Sequence, residues 1–304
     1  MVNNELSNWP RALHQARRHA YLNTARAVQQ LLFVTGGVTW IGNPAGFIYG
    51  LAIGEVLFML WQGTRHLGRL KFRADLLRAM LYYGWPHTFV IATSFLLTYV
   101  DRYMLAFLTG DTSIVAHYDA AYALVSSALA LLVRPFNLFL FPAYMRRFSE
   151  EGAGPTVSMI GKAQHWFLSA GLVLATVVVL LRQPLLNLLY PAGYTEAASV
   201  FAPIAYASVL NGAFMATVAG LYISQNTVMV GVCALTGLLA NVVANYLLIP
   251  TFGIAGAAFS TAVSAVMQLV VGYFFARNIL PVKFPLTVLA AGAFWLGLID
   301  WLSR

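Results

Sequence analysis

Apolar stretches of near bilayer length recur nine times along this chain of 304 residues, and that repetition limits the available folds more than any motif does. A helix rises 1.5 Å per residue, so roughly 20 apolar residues match a hydrocarbon core of about 30 Å. The stretches are Tyr21–Ile41, Ala45–Trp61, Tyr82–Leu108, Ala116–Phe141, Gln164–Leu181, Val200–Ile223, Val228–Ile249, Gly253–Phe275 and Phe284–Leu302. With 60% hydrophobic and 9% charged residues, the chain carries more apolar surface than a soluble core needs. The runs are continuous, not alternating, which disfavours a β-barrel. The expected fold class is an all-α polytopic membrane protein of nine transmembrane helices. Met1–His19 lacks the apolar core of a signal peptide. Cys233 is the single cysteine, so no intrachain disulfide is expected.

The net charge of +8 would suggest nucleic acid in a soluble protein. Here the distribution over loops explains it. With the N-terminus inside, fourteen basic residues fall on the inner side and two, Arg182 and Arg304, on the outer side. Arg102 and Arg134 lie within apolar segments. A bias of this size follows the positive-inside rule and gives an odd number of spans. Single cysteines in a Cys233→Ala background test it with an impermeant thiol reagent. Asn187→Cys is expected to label from outside and Lys71→Cys is not; the opposite pattern overturns the orientation. Gly63–Met80, with five basic residues and leucines at helical spacing, fits either a basic amphipathic helix on the inner membrane surface or an ordinary positive loop.

Polar groups inside the apolar segments are the candidate functional residues, because a charge at a helix centre costs about 2.5–3.5 kcal/mol on insertion scales. Gly84 and Pro86 suit the entry of the third segment. Asp101 and Arg102 follow 15 residues beyond Pro86, roughly 22 Å along a helix. They form either a charged element facing a wet cavity or a self-neutralising pair near the headgroups, with Arg102 snorkelling. The first segment carries Asn23, Arg26, Gln29 and Gln30 on one face, with no obvious partner in the second segment, which holds Glu55. Asp111 or Thr112 can cap the fourth segment. Arg134-Pro135 should kink that segment and free a carbonyl. Asn241 and Asn245, at i and i+4, should each hydrogen-bond to a neighbouring helix. Pro250 and Gly253 should form a tight outer turn, followed by a small-residue patch from Gly253 through Gly256 to Ala258.

No nucleotide-binding loop, zinc-protease motif or nucleophile elbow is present. The six histidines are scattered, and neither a metal nor a cofactor is expected.

The run Asn241-Val-Val-Ala-Asn245-Tyr-Leu-Leu-Ile-Pro250-Thr-Phe-Gly253-Ile-Ala-Gly256-Ala-Ala-Phe-Ser-Thr261 resembles the late helices of O-antigen-type polysaccharide flippases of the MOP exporter superfamily. Tyr83-Gly84-Trp85-Pro86 with Asp101-Arg102-Tyr103 resembles that family's entry to its second lobe, and Gly193-Tyr194 with Pro203 its outer turn. The resemblance covers roughly Tyr21 to Phe275. It implies two six-helix lobes around a central cavity and alternating access. It implies translocation of an undecaprenyl-diphosphate-type oligosaccharide across the bacterial inner membrane for surface polysaccharide synthesis. The substrate would be the main partner, with the bilayer and other polysaccharide-assembly membrane proteins. An anionic headgroup needs cationic contacts, for which Arg102, Arg134 and Arg26 are the candidates. Asp101, Glu55 and His87 are candidates for ion coupling. Snorkelling, helix-end pairing or a structural partner is the competing role for each of these residues.

The implied organisation is residues 1–80 as a basic leader with two helices of a first lobe and an amphipathic linker. Residues 81–279 would be a complete six-helix second lobe, and 280–304 a C-terminal peripheral helix. On that count about four first-lobe helices are expected upstream, making this chain a partial transporter. A MATE-like cation or drug antiporter is the alternative, which would favour an acidic, aromatic-lined cavity. A membrane-embedded glycosyltransferase or polymerase is another, and would call for a large outer loop with carboxylates. The longest outer loop here is Arg182–Ser199.

Overall fold

The computed structural model describes residues 16–43, 45–63, 74–191, 193–282 and 286–302. Met1–Gln15 of the basic leader, Pro44, most of the amphipathic linker and Lys283 lie outside the described residues. Among those described, every regular element is helical: α1 Ala16–Ile41, α2 Ala45–Gly63, α3 Ala74–Thr109, α4 Thr112–Glu151, α5 Ala153–Leu180, α6 Arg182–Leu189, a 3₁₀ turn Tyr194–Val200, α7 Phe201–Thr217, α8 Ala219–Ile223, α9 Thr227–Ala276 and α10 Leu286–Leu302. Five stretches are long and apolar enough to cross a membrane. The chain divides into two compact units, residues 1–77 and 78–304.

In the first unit α1 and α2 pair through glycine. A side-chain carbon placed on Gly37 would stand 2.3 Å from the carbonyl oxygen of Gly46, and one on Gly50 at 2.3 Å from that of Phe33. The two backbones therefore touch directly, as small residues permit where lipid supplies no hydrophobic drive. The polar face of α1, expected to lack a partner, finds one on α2. Arg26 forms an ion pair with Glu55 at 2.8 Å, Gln30 donates to the same carboxylate, and Gln29 donates to the Gly54 carbonyl at 2.6 Å. Glu55, a candidate for ion coupling, is the acceptor for two α1 side chains 25 and 29 residues away.

The second unit is built around α7. Its Ala202, Ala205, Ala207, Ala213 and Ala216 are buried, and Gly212 admits Phe167 and Val133, whose atoms would lie 2.5 and 2.8 Å from an added methyl. A helix made of small side chains lets α4, α5 and α9 approach closely, and α10 packs against α5 and α7. The main core joins Leu105, Tyr118, Leu129, Leu168, Phe201 and Ile249. Large apolar side chains outside it, such as Phe107 at 86% and Phe139 at 75%, are exposed, as is expected where a helical surface meets lipid.

Several boundaries differ from expectation. α3 begins at Ala74, so Pro86 lies within the helix and not at its entry. α4 runs through Pro135 and Pro142 without interruption to Glu151. The expected loop at Pro142–Ala163 shrinks to Gly152, whose φ of 82° reverses the chain into α5. Apolar contacts hold these extensions, with Leu140, Tyr144 and Ile160 in a second core cluster. The connection between α3 and α4 is Gly110-Asp111. Asp111 caps α4 by accepting from the Ser113 amide at 2.8 Å, and the Ser113 hydroxyl together with that amide holds its carboxyl below the ordinary carboxylate range. The outer loop after α5 contains α6 and a 3₁₀ turn.

α9 is a hairpin. Gly253 has φ 53° and ψ −127°, the first central position of a type II′ turn, which favours glycine. The two arms, residues 227–252 and 254–276, then run antiparallel. A carbon on Gly256 would stand 2.4 Å from the Leu248 carbonyl oxygen, and one on Gly237 at 2.8 Å from Cγ of Gln268. The expected Pro250–Gly253 turn is therefore present. The expected partners of Asn241 and Asn245 are not: the two bond to each other at 2.7 Å along one arm. Asn241 Nδ2 and Asn245 Oδ1 are buried without a hydrogen bond.

Candidate functional site

The charged residues of α3 meet α4 and the second arm of α9 inside the second unit. Asp101 is 1% exposed. Its Oδ2 accepts from the Tyr118 hydroxyl at 2.5 Å and from Thr261 Oγ1 at 3.4 Å. Its Oδ1 accepts from Arg102 at 3.0 Å. A buried carboxylate needs such donors, because an uncompensated charge in low dielectric is prohibitive. Tyr118 and Thr261 are themselves 3.1 Å apart, so one hydroxyl pair ties α3, α4 and α9 together.

Arg102 is held by partners within its own unit. Its Nε donates to Asp119 at 2.5 Å and its Nη1 to the Thr98 carbonyl at 2.5 Å. The guanidinium lies 4.4 Å from the Tyr122 ring centroid, with Tyr99 at 5.3 Å and Tyr118 at 5.5 Å. This is an aromatic enclosure that adds cation–π attraction to two ion pairs. One arginine against two carboxylates leaves the cluster with an excess of negative charge. Asp119, half exposed, is the open side of it.

Arg134, on α4, is exposed and makes no side-chain hydrogen bond or ion pair among the described residues. Arg26 and Glu55 bind one another in the first unit. The side chains of Pro86 and His87 lie outside the described residues.

Two features escaped sequence reasoning. Asp119 and Tyr122 complete the surroundings of Arg102, and their spacing from Tyr118 on α4 was the available signal. Beside Tyr122 opens a cavity of about 370 Å³, bounded by Ser94, Thr98, Asn211, Tyr222, Ser264 and Gln268 among others. The recurrence of Thr261, Ser264 and Gln268 along one helical stripe marks its polar wall.

The comparisons agree with this architecture. Residues 17–148 match the family model described as polysaccharide biosynthesis protein. No curated protein sequence matches. Among solved structures, the lipid II flippase MurJ in an inward closed conformation matches with a TM-score of 0.70 at 12% identity, over 95% of this chain and 62% of that one. A point mutant of the Vibrio cholerae MATE transporter VcmN matches with a TM-score of 0.57 at 16% identity, over 76% of this chain and 54% of that one. This chain thus spans less than two thirds of the length of either. The chain is a polytopic membrane protein whose helices share their fold with the lipid II flippase and MATE transporter structures, and its residues 17–148 match the polysaccharide biosynthesis protein family model.

Proposed function

We propose that the chain acts in moving an undecaprenyl-diphosphate-type oligosaccharide across the bacterial cytoplasmic membrane by alternating access, with its N-terminus on the cytoplasmic side. The observation that carries this reading is a conjunction: a polysaccharide-biosynthesis sequence over residues 17–148 on a MOP fold whose interior holds a charged cluster beside a polar cavity. In a bilayer such groups persist where they meet substrate, ions or water.

The residues divide the work. Arg134, exposed and without a carboxylate partner, is the cation placed to attract an anionic headgroup. Arg102 keeps Asp101 and Asp119 in place. Asp101, bonded to hydroxyls from two other helices, is the group whose protonation or cation binding would loosen α3 from α4 and α9. It is thus the coupling site in this reading. The excess carboxylate in the cluster also fits a cation antiporter, and transport assays separate the two.

The test is transbilayer movement in vesicles carrying a fluorescent undecaprenyl-diphosphate oligosaccharide. Vesicles with the protein should expose the lipid to an outside quencher faster than protein-free vesicles, and Arg134→Gln should slow that movement several-fold. A rate equal to that of protein-free vesicles overturns the proposal. Movement of a lipophilic cation in place of the lipid favours the antiporter.

A further inference from the structure

We infer that the cavity beside Tyr122 is a subsite for an uncharged sugar ring of the lipid-linked substrate, an inference that rests on the function proposed above. Its volume of about 370 Å³ lies within the range of small-molecule sites, about 300–1,000 Å³. The chemistry of its wall is what selects the ligand.

Ser264 is 3% exposed and Gln268 6%, and neither side chain hydrogen-bonds within the described residues. Both line the cavity. Asn211, from α7, lines it as well and also makes no side-chain bond. Buried amides and hydroxyls are rarely left unmatched, so Ser264 and Gln268 hold donors and acceptors ready for a ligand, and Asn211, exposed on α7, adds an open amide. Gln268 has room to reach the cavity because position 237 lacks a side chain: a methyl there would stand 2.8 Å from both its Cγ and its Nε2.

The remaining wall is aromatic. Tyr122 carries Arg102 against its ring at 4.4 Å and also borders the cavity, as do Phe214 and Tyr222. Tyr222 is fixed by an edge-on contact to Phe141 at 5.6 Å.

Among the described residues, no lysine, arginine, aspartate or glutamate lines the space. A diphosphate would find no cation there, and an inorganic cation no carboxylate. A purely apolar ligand would strand Gln268, Ser264 and Asn211. A pyranose presents hydroxyls around its rim and C–H bonds on its faces, which suits neutral amides and hydroxyls combined with tyrosine rings. An N-acetylhexosamine adds an amide that Asn211 or Gln268 can pair with.

The experiment compares two ligands on the purified chain in a detergent without a sugar headgroup: a polyprenyl diphosphate bearing one N-acetylglucosamine, and the bare polyprenyl diphosphate. The native chain should bind the glycosylated lipid about tenfold more tightly, the equivalent of one or two hydrogen bonds. Gln268→Met should remove that advantage while leaving binding of the bare lipid unchanged. Asn211→Ala, which truncates an exposed side chain, carries the same expectation should Gln268→Met fail to fold. Equal affinity of the native chain for both lipids overturns the sugar subsite and leaves the proposed function standing. Failure to bind either lipid overturns both.

Discussion

Arg102→Gln should destabilise the second unit by about 3–5 kcal/mol, the usual cost of breaking a buried ion pair by removing one partner. The substitution leaves Asp101, 2% exposed at its side chain, with only hydroxyl donors and the Arg102 backbone amide at 2.9 Å. Asp119 loses its cation as well. The loss should show as a large drop in melting temperature of the detergent-solubilised protein, and Arg102→Lys should recover part of it. Lysine keeps the charge but cannot span Asp101, Asp119 and the Thr98 carbonyl together. Adding Asp101→Asn to Arg102→Gln should restore much of the stability, because no charge is then buried alone. If Arg102→Gln melts like the native protein, the cluster is not the buried network described here.

Gly256→Leu should be still more damaging, because the obstacle is backbone. Side chains in a tight core can shift, and overpacking them costs about 1–3 kcal/mol. The carbonyl of Leu248 is fixed by the helix to which it belongs, and it lies 2.4 Å from the point where a Cβ would sit. The arms of α9 must therefore separate along their length, which removes Ile249, Ala257 and Ala258 from the main core. Gly253→Ala attacks the same hairpin through its turn and should cost about 1–3 kcal/mol by forcing a side chain into a glycine conformation. Both variants should be degraded or aggregate on extraction, with Gly256→Leu the more severe. Native-like melting of Gly256→Leu would mean that the two arms do not touch at this point.

How much of this was legible beforehand depends on the range of the interaction. Hydropathy located helices at the expected segments, and five stretches among the described residues are long and apolar enough to cross a membrane, since length and apolar content are local properties. The Pro250–Gly253 turn was legible for the same reason. The ends of α4 were not: Tyr144 and Ile160 extend the core beyond the apolar run, and only the partner helix shows that the charged stretch Arg146–Glu151 remains helical. The partners of Arg26 escaped because Glu55 lies 29 residues away on a helix whose register sequence does not state. Asn241 and Asn245 were placed on one face correctly, but helical spacing does not say whether a side chain bonds across or along its helix. The cavity was the hardest to foresee. Its wall draws residues from five helices, α3, α4, α7, α8 and α9, and only the stripe of Thr261, Ser264 and Gln268 left a periodic trace.

The last helix bears on how the protein is made. α10 lies against α5, where Gly292 meets Leu172 and Trp295 donates to Thr176 at 3.2 Å. Its Asp300 is buried against Arg182, which is synthesised 118 residues earlier. A carboxylate near the end of an apolar helix enters the bilayer more easily when a cation already waits there. Arg182→Gln should therefore leave Asp300 buried without this ion-pair partner and weaken the packing of α10 on α5 and α7. If α10 spans the membrane, a defect near Arg182 should surface during biogenesis as failure of α10 to stay inserted, read by protease protection of its C-terminal side.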